Sequence, residues 1–150
     1  MPGTYSQILL HIVFSTKRRE QWITPEVADR LYPYIGGIVR AEKGALYDIG
    51  GIEDHVHLYL RWRPDAPVSD LLRTIKSRSS KWVHDTFPTL DAFAWQEGYS
   101  VFSVSKSQEA AVKKYIAGQH EHHKTQGFKS ELLQMLRRHE IEFDERYVFD

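Results

Sequence analysis

The stretch ALYDIGGIEDHVHLYLRW, residues 45–62, decides how this chain folds. Ala45–Ile52 and His55–Trp62 are two strand-like segments separated by Glu53-Asp54, the pattern of a β-hairpin. In the second segment Val56, Leu58 and Leu60 alternate with His55, His57, Tyr59 and Arg61. Successive side chains on a strand point to opposite faces. The apolar set therefore faces a helical layer, and the two histidines, the tyrosine and the arginine share the other face.

Working outward, Tyr5–Phe14 alternates Ile8, Leu10, Ile12 and Phe14 with Gln7, Leu9, His11 and Val13, and reads as a first strand. Thr24-Pro25 starts a helix, with threonine as N-cap and proline at the first helical position. Its apolar side carries Val27, Leu31, Ile35, Ile38 and Val39; Pro33 is expected to kink it, and Gly44 closes it. A second helix is expected from Val68 to Phe87, stopped by Pro88, then a strand over Phe93–Val104. Ser105-Lys-Ser-Gln108 has the form of a capping box and starts a helix to about Lys124. A short helix from Ser130 to His139 and an acidic, aromatic tail follow. The order β-α-β-β-α-β predicts an α+β, ferredoxin-like (split βαβ) fold: a four-stranded antiparallel sheet, two helices on one face, one open face, and appended C-terminal helices. No linker divides residues 1–150, so one domain is expected.

Composition narrows the chemistry. The chain has 150 residues, with 20 Lys+Arg against 20 Asp+Glu and no cysteine. Disulfide scaffolds, cysteine zinc sites and thiol nucleophiles are excluded. The apolar run Ile8–Phe14 contains His11 and falls far short of the roughly 18 residues of a membrane span. With no secretory pattern at the N-terminus, a cytoplasmic protein without a membrane partner is expected. The neutral total conceals asymmetry: residues 61–90 are basic and residues 139–150 acidic.

Three sets of residues carry possible chemistry. His55 and His57, two apart on a strand, can reach one metal ion, although an isolated His-x-His is more often a hydrogen-bonded or solvated pair. Tyr115 and Gln119, four apart, lie on one helical face and combine a phenol with a neutral oxygen ligand. Arg73, Lys76, Ser77, Ser80, Lys81 and His84 recur along the second helix; with Lys17, Arg18 and Arg19 they are candidates for phosphate contact. The run His120-Glu-His-His123 is a further possible metal-binding group.

Together these residues resemble the single-tyrosine HUH transposases of bacterial insertion sequences and their repeat-associated relatives. The resemblance runs through His11-Ile-Val-Phe-Ser-Thr-Lys17, Tyr34-Ile-Gly-Gly-Ile38, Ile49-Gly-Gly-Ile-Glu-Asp-His-Val-His57, Phe93–Val104 and Lys114-Tyr-Ile-Ala-Gly-Gln119. A His-hydrophobe-His strand followed by a Tyr-x-x-x-Gln helix is far more specific than either part. The resemblance implies that His55, His57 and Gln119 hold a divalent metal, Mg²⁺ or Mn²⁺, and that Tyr115 is the nucleophile. It also implies a homodimer that recognises single-stranded DNA hairpins, cleaves them through a 5′-phosphotyrosine link and rejoins them, working at the bacterial nucleoid. Two other readings compete: a non-catalytic nucleic-acid-binding module of the same fold, and a histidine-based metal protein built on His120, His122 and His123. A domesticated relative acting on genomic repeats would share the transposase chemistry.

Overall fold

The computed structural model describes residues 3–124 and 126–149. The hairpin reading holds: β2 (Ala45–Ile52) pairs antiparallel with β3 (His55–Trp62). β1 (Ile8–Ser15) pairs with the other edge of β3, and β4 (Ser100–Ser103) with the far edge of β1. The order β2-β3-β1-β4, antiparallel throughout, is that of the split βαβ fold.

The alternation in β1 and β3 builds one apolar layer. Leu10, Ile12 and Phe14 of β1 and Val56, Leu58, Leu60 and Trp62 of β3 form a core with α1 (Pro25–Ala41) and α2 (Val68–Thr86). The helices contribute Val27, Leu31, Ile35, Ile38 and Val39, and Leu71, Leu72, Ile75 and Val83. Thr24 caps α1 as its sequence indicates, accepting a hydrogen bond from the Val27 N–H at 3.4 Å. Pro33, where a kink is expected, lies inside the helix. α1 runs unbroken through it, with the ring exposed and the buried residues on either side.

Two elements differ from the sequence expectation. The strand expected over residues 93–104 is only four residues long. Phe93 and Trp95 instead turn into the core, where Trp95 packs edge-on to Phe14 at 4.9 Å and meets Thr16 in an isolated bridge. The ammonium of Lys76 binds the carbonyls of Gln96, Glu97 and Gly98, so these groups are satisfied outside any ladder. The helix expected over residues 105–124 is divided into α3 (Glu109–Ala117) and α4 (Gln119–His122) at Gly118. The capping box does not form: Ser105 makes no cap bond, its hydroxyl meets that of Ser107 at 2.9 Å, and Lys106–Gln108 is a 3₁₀ turn.

The second face of the sheet is not open. α3 lies over it with Ile116 against Leu9 and Tyr59. α5 (Phe128–Arg138) covers it further along, burying Phe128, Leu132, Met135 and Leu136 against Val13 and Phe102. No helix among the described residues is long and apolar enough to cross a membrane.

Candidate active site

His55, His57 and Tyr59 project from the second face of β3, as the alternation requires, but all three are fully buried under α3–α5. Only Arg61 of that row is exposed. Burial of two imidazoles is costly unless their nitrogens find partners, and here each one does. His55 Nδ1 meets Asp54 Oδ1 at 2.7 Å, and its Nε2 meets Gln119 Oε1 at 3.1 Å. His57 Nδ1 meets His11 Nε2 at 2.8 Å, and its Nε2 meets Glu131 Oε1 at 3.0 Å. In both rings Nδ1 is held by an outer partner and Nε2 is turned inward. That is how outer residues orient histidine ligands toward a metal.

The break at Gly118 brings Gln119 inward, where its side chain is buried and its Nε2 donates to the Tyr115 carbonyl at 3.3 Å. The Tyr115 ring stands edge-on to His57 with centroids 5.6 Å apart, and 5.3 Å from His122. α3 reaches this position because Gly50, paired with His57, has no side chain. A Cβ there would lie 2.7 Å from the Ile116 carbonyl oxygen. The buried Tyr59 hydroxyl donates to Glu109 at 2.7 Å and secures the start of the same helix.

Glu131 is the residue that sequence reading missed. It is 2% exposed, sits in the first turn of α5, and enters the middle of the histidine cluster. Besides His57, its carboxylate has His55 Nε2 at 3.6 Å, His122 Nε2 at 3.0 Å and His123 Nε2 at 3.2 Å. A sequence signal existed: Glu131 lies three residues after Phe128 and four before Met135, a carboxylate inside an apolar stripe. His11, which interrupts the apolar run of β1, is a similar case; it is buried against His57 with ring centroids 5.0 Å apart.

The charges follow from these contacts. Burial acts against a charged His55, but hydrogen bonds to Asp54 and Glu131 outweigh it and hold the pKa at about 9. At His57 burial wins over the Glu131 contact, and the pKa falls to about 4. Burial, with His57 beside it, lowers His11 to about 3. Burial opposes a charged Glu131 too, yet the imidazoles of His123, His55 and His57 around it keep its carboxyl far below the usual range. Burial and then the Glu131 carboxylate push the Tyr115 phenol well above its ordinary value.

Beside this cluster a cavity of about 410 Å³ opens, lined by His11, Tyr115, His122, Glu131 and Arg138 among others. A larger depression of about 740 Å³ between α1 and β2 contains no histidine. The other candidates lie elsewhere. Lys17, Arg18 and Arg19 form a 3₁₀ turn just after β1, whose last residue, Ser15, pairs with His55. Arg73 and Lys81 are exposed on α2, each paired with an acid of the same helix, Asp70 and Asp85. Lys76 holds the three carbonyls described above. His122 and His123 join the cluster, whereas His120 lines a separate cavity with Ile23 and Tyr32.

This sheet carries paired inward histidines beside a helix tyrosine, a group able to hold a cation next to a phenol, and the chain belongs to the IS200-like transposase family, which it matches over residues 4–119. It is thus a DNA transposase. It is 27% identical over 124 residues to the ISDra2 transposase TnpA of Deinococcus radiodurans, covering 79% of this chain and 89% of that one. A crystal structure of a transposase from Deinococcus radiodurans R1 superposes with a TM-score of 0.67 at 27% identity, covering 79% and 95% of the two chains. A REP-associated tyrosine transposase bound to a REP hairpin shares the fold, with a TM-score of 0.60 at 17% identity over 82% and 73%. α5, with Glu131, lies beyond the segment that matches the family.

Proposed function

We propose that this transposase cleaves and rejoins single-stranded DNA through Tyr115, assisted by a divalent ion held by His55, His57 and Gln119. The observation that carries this reading is the convergence of His55 Nε2, His57 Nε2 and Gln119 Oε1 beside the Tyr115 ring, with Nδ1 of each histidine already engaged. The donor set fits a divalent cation: two inward imidazole nitrogens and an amide oxygen, with Glu131 Oε1 3.0 Å from His57 Nε2 and 3.6 Å from His55 Nε2 beside them. Such an ion polarises the scissile phosphate.

The protein groups have distinct tasks. Asp54 keeps the His55 proton on Nδ1. His11 can accept from His57 Nδ1, which frees Nε2 as a lone pair. Gln119 ties the ligand cluster to the backbone of the nucleophile helix through the Tyr115 carbonyl. Tyr115 is protonated at rest, held so by burial and by Glu131. In the reaction its oxygen gives up its proton and bonds to phosphorus, the P–O3′ bond breaks, and the departing 3′-oxygen takes up a proton, so none is gained or lost overall. Reversal by a later 3′-OH rejoins DNA, with bond energy retained in the phosphotyrosine. Mn²⁺ or Mg²⁺ is the working ion.

The substrate is DNA with hairpins, as in the hairpin-bound structural relative, and the enzyme is a single-domain homodimer. Lys17–Arg19, near the active end of β1, and Arg73 and Lys81 contact the phosphate backbone; Lys76, expected to join them, spends its three N–H donors on carbonyls instead.

The test mixes purified protein with hairpin oligonucleotides taken from DNA flanking the gene, plus Mn²⁺ or Mg²⁺, and resolves the products on a denaturing gel. A detergent-resistant adduct, absent with chelator and with Tyr115→Phe, is expected. Tight binding with no adduct would leave a nucleic-acid-binding module and overturn the nucleophile assignment.

A further inference from the structure

His122, His123 and one oxygen of Glu131 stand outside the ligand set just proposed, and their arrangement has its own logic. His123 Nδ1 lies 2.6 Å from the Gln126 carbonyl oxygen, which can only accept, so Nδ1 donates there and fixes the ring. Its Nε2 is turned to two oxygens, Gln119 Oε1 at 2.9 Å and Glu131 Oε2 at 3.2 Å. Glu131 Oε2 is itself fully buried, and no hydrogen bond of adequate geometry reaches it among the described residues. His122 Nε2 is 3.0 Å away from it.

The carboxylate is divided between two groups of donors. Oε1 serves His55 and His57, and Oε2 serves His122 and His123. In each group the ligand atoms lie within 4.8 Å of one another. The second group is delivered by α4 and α5, and α5 is docked by its apolar contacts with Val13 and Phe102.

We propose that His122 Nε2, His123 Nε2 and Glu131 Oε2 form a second divalent-cation site, joined through the Glu131 carboxylate to the first. Two imidazoles and one carboxylate suit Zn²⁺ or Co²⁺ better than Mg²⁺, which favours oxygen ligands and retained water. A cation there lies on the His122 side of Tyr115 and offers a bound DNA phosphate a further positive charge. The bridge rests on the reading given under Proposed function; the second ligand set does not.

The test loads chelator-stripped protein with Co²⁺ or Mn²⁺, removes free ion and measures metal per chain, with circular dichroism as the check of folding. Two ions are expected for the native chain, one for His122→Asn/His123→Asn and one for His55→Asn/His57→Asn. Electron paramagnetic resonance of the Mn²⁺ form should show coupling between the ions, lost in both double variants and in the isosteric Glu131→Gln. A single ion that survives His122→Asn/His123→Asn and disappears with His55→Asn/His57→Asn would overturn the second site and leave the first. A single ion with the opposite pattern would support the second site and remove the first. Uncoupled ions in the native chain, or coupling retained in Glu131→Gln, would overturn the bridge, and this holds even if a double variant fails to fold.

Discussion

The two faces of one sheet have been put to opposite uses. Beneath α1 and α2, alternate residues of β1 and β3 are aliphatic or aromatic and pack into a core in which only the Trp62 indole of these strands takes a polar partner, the Ala66 carbonyl. Beneath α3–α5, the intervening residues include His11, His55, His57 and Tyr59, equally buried but held by a connected set of hydrogen bonds. The first face gains by excluding water from carbon. The second retains its buried polar groups only because each meets a partner, and so its geometry is more exacting.

Breaking the apolar face should have the largest effect. Leu58→Ala, at a fully buried position, is expected to destabilise the fold by about 2–5 kcal/mol in denaturant melts while leaving metal per folded chain unchanged. Gly50→Ala acts on the other face: its methyl meets the Ile116 backbone, and overpacking should remove about 1–3 kcal/mol of stability. Because Ile116 is next to Tyr115, adduct formation should fall by more than the stability loss explains, as single-turnover assays would reveal.

Asp54→Asn removes the carboxylate from His55 Nδ1 but leaves the ring in place. Metal affinity at the first site should drop about 10–100-fold by calorimetric titration, with the melting profile little changed. Acid and base sharpen the comparison further. In metal-free protein His57, depressed to about 4, contributes stability that is complete above the unfolded value of about 6.5 and is lost as pH falls through 4. His55, raised to about 9, contributes stability complete below 6.5 and lost as pH rises through 9. Chelated protein should therefore be most stable near pH 6.5. His57→Gln should flatten the acid side of that curve and His55→Gln the alkaline side.

The smallest effect on the fold belongs to the surface. Lys81→Ala, at an exposed ion pair with Asp85, should leave unfolding unchanged. If Lys81 contacts phosphate, the same variant reduces the salt dependence of DNA binding; an unaltered salt slope would exclude that contact.

Strand periodicity made much of this legible in advance. The alternation through Val56–Leu60 sorts β3 into two faces whatever surrounds it, because side-chain direction on a strand is set locally. The four-residue spacing of Tyr115 and Gln119 depends just as little on the rest of the chain. The Thr24 cap and the hairpin at Glu53-Asp54 were readable for the same reason.

Long-range packing decided the rest. Whether the histidine face lies open or covered depends on where α5 docks, and that is settled by Phe128, Leu132 and Met135 meeting Phe102 of β4 and Val13 of β1, the latter more than a hundred residues earlier in the chain. Phe93 and Trp95 fit an extended pattern, yet the core claimed their side chains and Lys76 claimed the neighbouring carbonyls. By itself the sequence determined which residues could share a face. Only the tertiary structure decided that Glu131 reaches His55, His57, His122 and His123, because a buried charge takes its partners from whatever the fold packs around it.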